Sequence, residues 1–318
     1  MIKRLAVLTA LFVLAAAPAF AQSEPIRLVV SFTPGGPVDS VARIIAEPLG
    51  KELGRKVMVD NKPGASGAIG AMDVARSEAD GSTLWFTSVG AAAINPTLYE
   101  KLSYDMQRDF APVSVVVNNV ELLVVNLAEP AKDAAEFVAA TKARSAPTPI
   151  ASSGIGGIPH LAIEQLVTAT GANLLHVPYK GAAPAITDVM GGHVGGFFGD
   201  VTGLLGHVRS GKLKPLGLAS ATRHPMLPDL KTLEEQGIPG VDTNNWYAIF
   251  APAKTPPATL EALNAALRTV LTDPAVRDRL LQTGAEPAPS TVQELTALLQ
   301  RDTDKWARLI RAKNIKPE

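Results

Sequence analysis

The chain contains no cysteine. Disulfide staples, thiol nucleophiles and cysteine-ligated metals are therefore excluded, and the fold must be held by core burial alone. An excess of one charge is missing too, since 30 Lys and Arg stand against 30 Asp and Glu. A nucleic-acid partner needs a basic face to displace counterions, so none is expected. After Ala21 no apolar run reaches the roughly 20 residues that a spanning helix needs. Catalytic signatures are absent as well: there is no G-x-S-x-G elbow, no G-K-[ST] phosphate loop and no H-E-x-x-H zinc site. The five histidines, His160, His176, His193, His207 and His224, show no ligand-type pairing. No catalytic residue, metal or cofactor is expected.

What is present begins with an address. Lys3 and Arg4 precede an apolar run from Leu5 to Ala17, and Ala19-Phe20-Ala21 forms a small-x-small site. Residues 1–21 are expected to be a secretory signal peptide cleaved after Ala21. The 297 residues that remain of 318 suffice for one large domain or two of ordinary size, two lobes being expected, with 28 basic against 30 acidic residues once Lys3 and Arg4 are gone. Export of such a chain leaves a periplasmic enzyme, a solute receptor or an envelope structural protein.

From Pro25 onward short β-branched runs alternate with helical patterns. The spacing predicts a strand over Ile26 to Phe32, then the turn Thr33-Pro34-Gly35-Gly36, then a helix over Pro37 to Leu53. In that helix Val38, Val41, Ala42, Ile45, Leu49 and Leu53 fall on one stripe. Further strands are expected at Val57 to Asp60, Thr83 to Thr87, Val113 to Val117, Leu122 to Asn126, Pro149 to Ser152, Leu174 to Tyr179, Val194 to Phe198, Leu213 to Ser220 and Trp246 to Ala251. Helices between most of them predict an α/β fold with largely parallel or mixed sheets. After Ala251 the pattern is helical, with Ser290 expected to cap the last helix and no further strand. Such a chain builds one lobe, crosses to a second and returns, its terminal helices packing on the first; the links are expected near Asn118 and Gly240. The lobes are assigned as 22–120 with 241–318, and 121–240.

Two loops follow strands and open helices. Thr33-Pro34-Gly35-Gly36-Pro37-Val38-Asp39 offers glycine amides and a helix dipole to an anion, although Asp39 could instead cap its own helix. Ser152-Ser153-Gly154-Ile155-Gly156-Gly157-Ile158-Pro159-His160 adds hydroxyls to the same arrangement. Dinucleotide binding fits poorly, because Pro159 holds the third glycine position and no acidic residue follows at the usual distance. Similar loops in different lobes suggest a ligand with carboxylate functions clamped between them. Ser88 and Lys180 follow strands on the same rim, with Lys180 either offsetting ligand charge or simply solvated. Asp200 ends a strand and could read an amine or hydroxyl or cap the next helix. His160 is the one histidine whose loop faces the expected cleft.

From Ile26 almost to the C-terminus the chain resembles the substrate-binding receptors of tripartite tricarboxylate transporters, also called Bug receptors. The matching segments are Phe32 to Asp39 (FTPGGPVD), Asn61 to Gly70 (NKPGASGAIG), Asn95 to Tyr99 (NPTLY), His176 to Gly181 (HVPYKG), Gly211 to Leu218 (GKLKPLGL) and Trp246 to Pro252 (WYAIFAP). The resemblance implies a two-lobed, periplasmic-binding-protein-like α/β fold closing on a small carboxylate or amino acid. It implies that Thr33, Gly35, Gly36 and Val38 approach one carboxylate, that Ser88 and Ser152 to Gly154 line the cleft, and that Asp200 stands where members with amino-acid ligands place a discriminating acid. The family usually has proline where this chain has Thr33, and tyrosine where it has Ser82. The expectation is a monomeric, non-enzymatic periplasmic receptor of a Gram-negative envelope, serving membrane transporter subunits. Ligand binding is assigned to Thr33, Gly35, Gly36, Val38, Asp39, Ser88, Ser152, Ser153, Gly154, His160, Lys180 and Asp200. The alternatives are a periplasmic enzyme using His160 or Asp200 as base, and a receptor feeding a membrane sensor kinase.

Overall fold

The computed structural model describes residues 24–317; the expected signal peptide lies outside them. The first lobe opens with β1 (Ile26–Val30), α1 (Pro37–Leu53), β2 (Val57–Asn61), α2 (Ala68–Ala75) and β3 (Thr83–Ser88). Two short helices, α3 (Asn95–Leu98) and α4 (Met106–Asp109), lead into β4 (Phe110–Asn118). The chain then forms β5 (Glu121–Val125), α5 (Ala134–Ala143), β6 (Thr148–Ser152), α6 (Ile158–Thr170), β7 (Leu174–Pro178), α7 (Ala182–Met190), β8 (Gly196–Asp200), α8 (Val201–Arg209) and β9 (Lys214–Leu218). It returns through β10 (Tyr247–Pro252), α9 (Pro257–Thr272), α10 (Pro274–Gln282), β11 (Glu286–Pro287) and α11 (Val292–Ala312).

These elements build two separate sheets. The first has six strands in the order β11-β4-β10-β3-β1-β2, the second five in the order β7-β6-β8-β5-β9. β1 pairs in parallel with β2 and β3, while β10 runs antiparallel to β3 and β4. In the second sheet β6 is parallel to β7 and β8, and β5 is antiparallel to β8 and β9. Both sheets are thus mixed, each with its antiparallel strands supplied by the segments next to the crossings.

Each sheet is buried on both faces. One face of the first packs Val38, Val41, Ile45 and Leu49 of α1 and Leu263, Leu267 and Leu271 of α9. The opposite face takes Trp85, Phe110, Phe250 and the Trp306 and Ile310 stripe of α11. The all-helical end therefore covers the first sheet, because a sheet face buried by fewer helices would expose its β-branched strands to water. The second sheet is covered by Phe137, Ile163 and Leu166 on one side and by Ile186, Val189, Leu204 and Leu205 on the other.

Two local expectations are corrected. The two-residue β11 pairs with β4, a strand too short to leave a pattern in the sequence. The cap of α11 is Thr291, whose hydroxyl accepts from Glu294 N while the Glu294 side chain accepts from Thr291 N, a capping box. Ser290 instead bonds β4, accepting from Val115 N at 3.0 Å. The return crossing falls at Asn244-Asn245, where Asn244 bridges Val120 and Asn245 N donates to Asn119 O at 3.0 Å. Gly240 lies short of it, because Ile238 and Val241 are still buried in the second sheet's core.

Candidate functional site

A cleft of about 520 Å³ lies between the two sheets, within the range that suits a small ligand. Its first-lobe wall is set by β1 and α1. Gly36 is extended and Pro37 fills the first helical position, where no amide hydrogen is needed. The amides of Val38 and Asp39 then have no intrahelical carbonyl to meet. Ser31, Thr33 and Val38 border the cleft, with Ser31 Oγ accepting from the buried Trp85 Nε1 at 2.5 Å.

The second-lobe wall repeats this construction. β6 ends at Ser152, Gly157 is the extended cap of α6, and Pro159 sits in the first turn. Gly154 and Gly156 take positive φ values of 146° and 74°, which glycine adopts without steric cost. Ser153, Gly154, Gly156 and Gly157 border the cleft, so two helix N-termini face it from opposite lobes. The dipole and orphan amides of each favour an anion there.

The twelve residues expected from sequence divide evenly. Thr33, Val38, Ser88, Ser153, Gly154 and Asp200 border the cleft, whereas Gly35, Gly36, Asp39, Ser152, His160 and Lys180 do not. The second group is mostly occupied internally. Asp39 accepts from Gly35 N at 2.8 Å, Arg43 Nε at 2.9 Å and Asn61 Nδ2 at 2.9 Å, so its carboxylate and the Gly35 amide satisfy each other. Burial alone would raise the Asp39 pKa, but the bonds from Arg43, Gly35 and Asn61 hold it below the usual range. Gly36 N donates to Thr33 O at 3.3 Å.

Behind the second loop, Ser152 Oγ bonds His176 Nε2 at 2.6 Å, and His160 Nδ1 accepts from Gly156 N at 3.0 Å. The two imidazoles stack at 3.7 Å, and burial pushes both down to about 4. They are neutral supports of the loop. A base role for His160 would need it in the cleft, and it is not there. Lys180 is exposed to solvent.

Several bordering residues escaped the sequence reading: Ser66, Asn95, Tyr99, Asn245 and Tyr247. Gly64, Ala65, Ser66 and Gly67 take positive φ in succession, a strained run of the kind found at ligand clamps. Asn95 Nδ2 holds it by donating to Ser66 O at 2.7 Å, and Ser66 Oγ bonds Tyr99 OH at 2.6 Å. Four of the five fall in the segments NKPGASGAIG, NPTLY and WYAIFAP, so the signal was within reach. Asn245 lies just outside, and its amide donates to Asp200 Oδ1 at 2.9 Å.

Among the described residues no lysine, arginine or histidine borders the cleft, and Asp200 is the only carboxylate that does. No cluster of three or more His, Asp or Glu able to hold a metal occurs among the described residues. Chemically the site can bind and orient an anion through amides and hydroxyls. It offers no arranged nucleophile and base.

Two mixed sheets with a cleft between opposed helix N-termini define a two-lobed α/β solute-binding protein. The chain belongs to the tripartite tricarboxylate transporter family of receptors, whose model matches residues 41–315. It is 33% identical over 300 residues to Protein BugT of Bordetella pertussis, covering 93% of this chain and 92% of that one. An R. palustris protein solved with adipate is 31% identical with a TM-score of 0.83, covering 93% of this chain and 99% of that one. MatC of Rhodopseudomonas palustris, solved with bound malate, is 30% identical with a TM-score of 0.77, covering 90% and 99%. The chain is a solute-binding receptor and not an enzyme.

Proposed function

We propose that this chain captures a small carboxylate (a dicarboxylate, aromatic acid or amino acid) in the periplasm and delivers it to a tripartite tricarboxylate-type membrane transporter. The observation that carries this reading is the pair of helix N-termini facing one cleft that no cationic side chain among the described residues borders. Anion binding then falls to amides and helix dipoles, and a negative ligand can be held without a fixed counter-charge. Relatives of similar fold bound to adipate and malate support the ligand class.

The lobes divide within a few residues of 120 and 240, and closure about those two crossings buries the ligand. Export is assigned to the signal peptide expected over residues 1–21, and no helix among the described residues is long and apolar enough to cross a membrane. The receptor acts as a monomer, and the closed shape is what the transporter subunits recognise.

Mass spectrometry of small molecules released by denaturing the purified protein tests the reading. An unaltered acid in stoichiometric amount is expected. Recovery of a chemically converted acid, or of a cationic or neutral solute, contradicts it.

A further inference from the structure

Glu121 opens β5 and stands directly opposite Asp200, the last residue of β8, in the antiparallel register. Opposed residues of neighbouring strands project to the same face with Cβ atoms about 5 Å apart. Glu121 is fully buried, and neither of its carboxyl oxygens meets a hydrogen-bond donor. Asp200 borders the cleft and takes one bond, from Asn245.

The groups around the pair come from the two crossings and β10. Asn119 donates to Tyr247 OH at 2.6 Å, and burial, then the charge of Asp200, keeps the Tyr247 phenol protonated. No lysine, arginine or histidine among the described residues bonds either acid. Two carboxylates side by side without a cation disfavour each other's ionised form, which favours a proton held by the pair. Burial, then the neighbouring Asp200, pushes Glu121 well above the ordinary carboxyl range. Burial likewise raises Asp200, against the bond it accepts from Asn245. With one proton the pair carries one negative charge, and Glu121, fully buried with no partner for either oxygen, is the acid that keeps that proton.

We propose that this pair makes capture of a dicarboxylate proton-linked: a ligand whose far carboxylate reaches Asp200 is bound together with one proton from solvent, held between Asp200 and the ligand. The proposal rests on the carboxylate-receptor reading and names its ligand class and the residues that govern it. Bringing a ligand carboxylate against Asp200 repeats the like-charge conflict already met at Glu121, in a cleft that no lysine, arginine or histidine among the described residues borders. A carboxyl-to-carboxylate hydrogen bond between ligand and Asp200 resolves it. No covalent bond changes; the ligand dianion and one proton enter together. Glu121 is a positioning residue, acting on the ligand only through Asp200.

Linkage fixes the sign. Uptake of one proton on binding makes dicarboxylate affinity fall about tenfold for each unit of rising pH. The test is calorimetry with succinate, malate and adipate, set against hexanoate, which shares the length of adipate but lacks the far carboxylate. Titrations in two buffers of different ionisation enthalpy count the protons taken up. The expected result is uptake of close to one proton with a bound dicarboxylate and none with hexanoate.

Asp200→Asn, nearly isosteric, is expected to remove the uptake and flatten the pH slope. Glu121→Gln is expected to keep both, because the proton taken up lies between Asp200 and the ligand and glutamine is as neutral as the protonated acid it replaces. Loss of uptake in Glu121→Gln overturns the assignment to the Asp200 contact. A buffer-independent heat for every bound dicarboxylate in the unmodified protein overturns the proposal while the receptor reading stands. Binding of monoacids alone has the same effect, and no heat with any acid contradicts the receptor reading and the proposal together.

Discussion

Gly156 shows how much of the site rests on single atoms. At its φ of 74° a side chain is strained, and a Cβ there would collide with the Leu98 side chain of the opposite lobe. Gly156→Ala is therefore expected to weaken ligand binding about tenfold, the equivalent of 1.4 kcal/mol. Adding Leu98→Ala should recover part of the loss; unchanged affinity in the single variant, measured by calorimetry, would show that the lobes do not need this approach. Other residues were legible in sequence only as far as their chemical type. Thr33, Val38, Ser88, Ser153, Gly154 and Asp200 follow strands or open helices, and the strand-to-helix rule brings such positions to a cleft. Asp39, Ser152 and His160 have the same chemistry in the same loops, yet each is taken by a partner such as Gly35, His176 or Gly156. Asn61 and His176 lie 22 and 24 residues from the groups they bond, and no local pattern announces such pairings.

At the scale of elements the agreement is closest where burial and punctuation coincide. α1 spans Pro37–Leu53 as its apolar stripe requires, started by Gly36-Pro37 and stopped by Gly54 in the left-handed region. The start of α11 was harder to place, because Ser290 and Thr291 are adjacent and both can cap; the choice is settled by Ser290 being drawn to β4. Thr291→Ala is expected to cost about 1 kcal/mol of stability in urea unfolding, and Thr291→Asp to retain most of it. An equal loss in both variants would show that the capping box contributes nothing. The helix matters to the site because it holds Trp246, whose Nε1 donates to the buried Asp302 at 2.7 Å. Trp246 O in turn accepts from Val89 N at 3.0 Å, next to Ser88 in the cleft wall.

Across the whole molecule, the chain builds one sheet, leaves through Asn119-Val120 and comes back beside that link. Two neighbouring segments make that joint, and rotation about them is the closure that the proposed capture of a ligand calls for. The lobes already touch: Ile158 and Leu161 of α6 are buried with Leu98 and Trp306, and Lys313 reaches Glu164 at 3.2 Å. The alternation of strands and helices made two α/β lobes readable, but which face of α6 meets α11 depends on the closure angle, a property that no periodicity encodes. The acid pair of Glu121 and Asp200 sits beside this joint for the same reason, assembled from residues 79 positions apart by β5 and β8 register. The most direct test of the central claim is a calorimetric titration of the mature chain with dicarboxylates, aromatic acids and amino acids. One-to-one binding of micromolar strength or tighter with at least one of these acids is the predicted result, and absence of heat with all of them would contradict it.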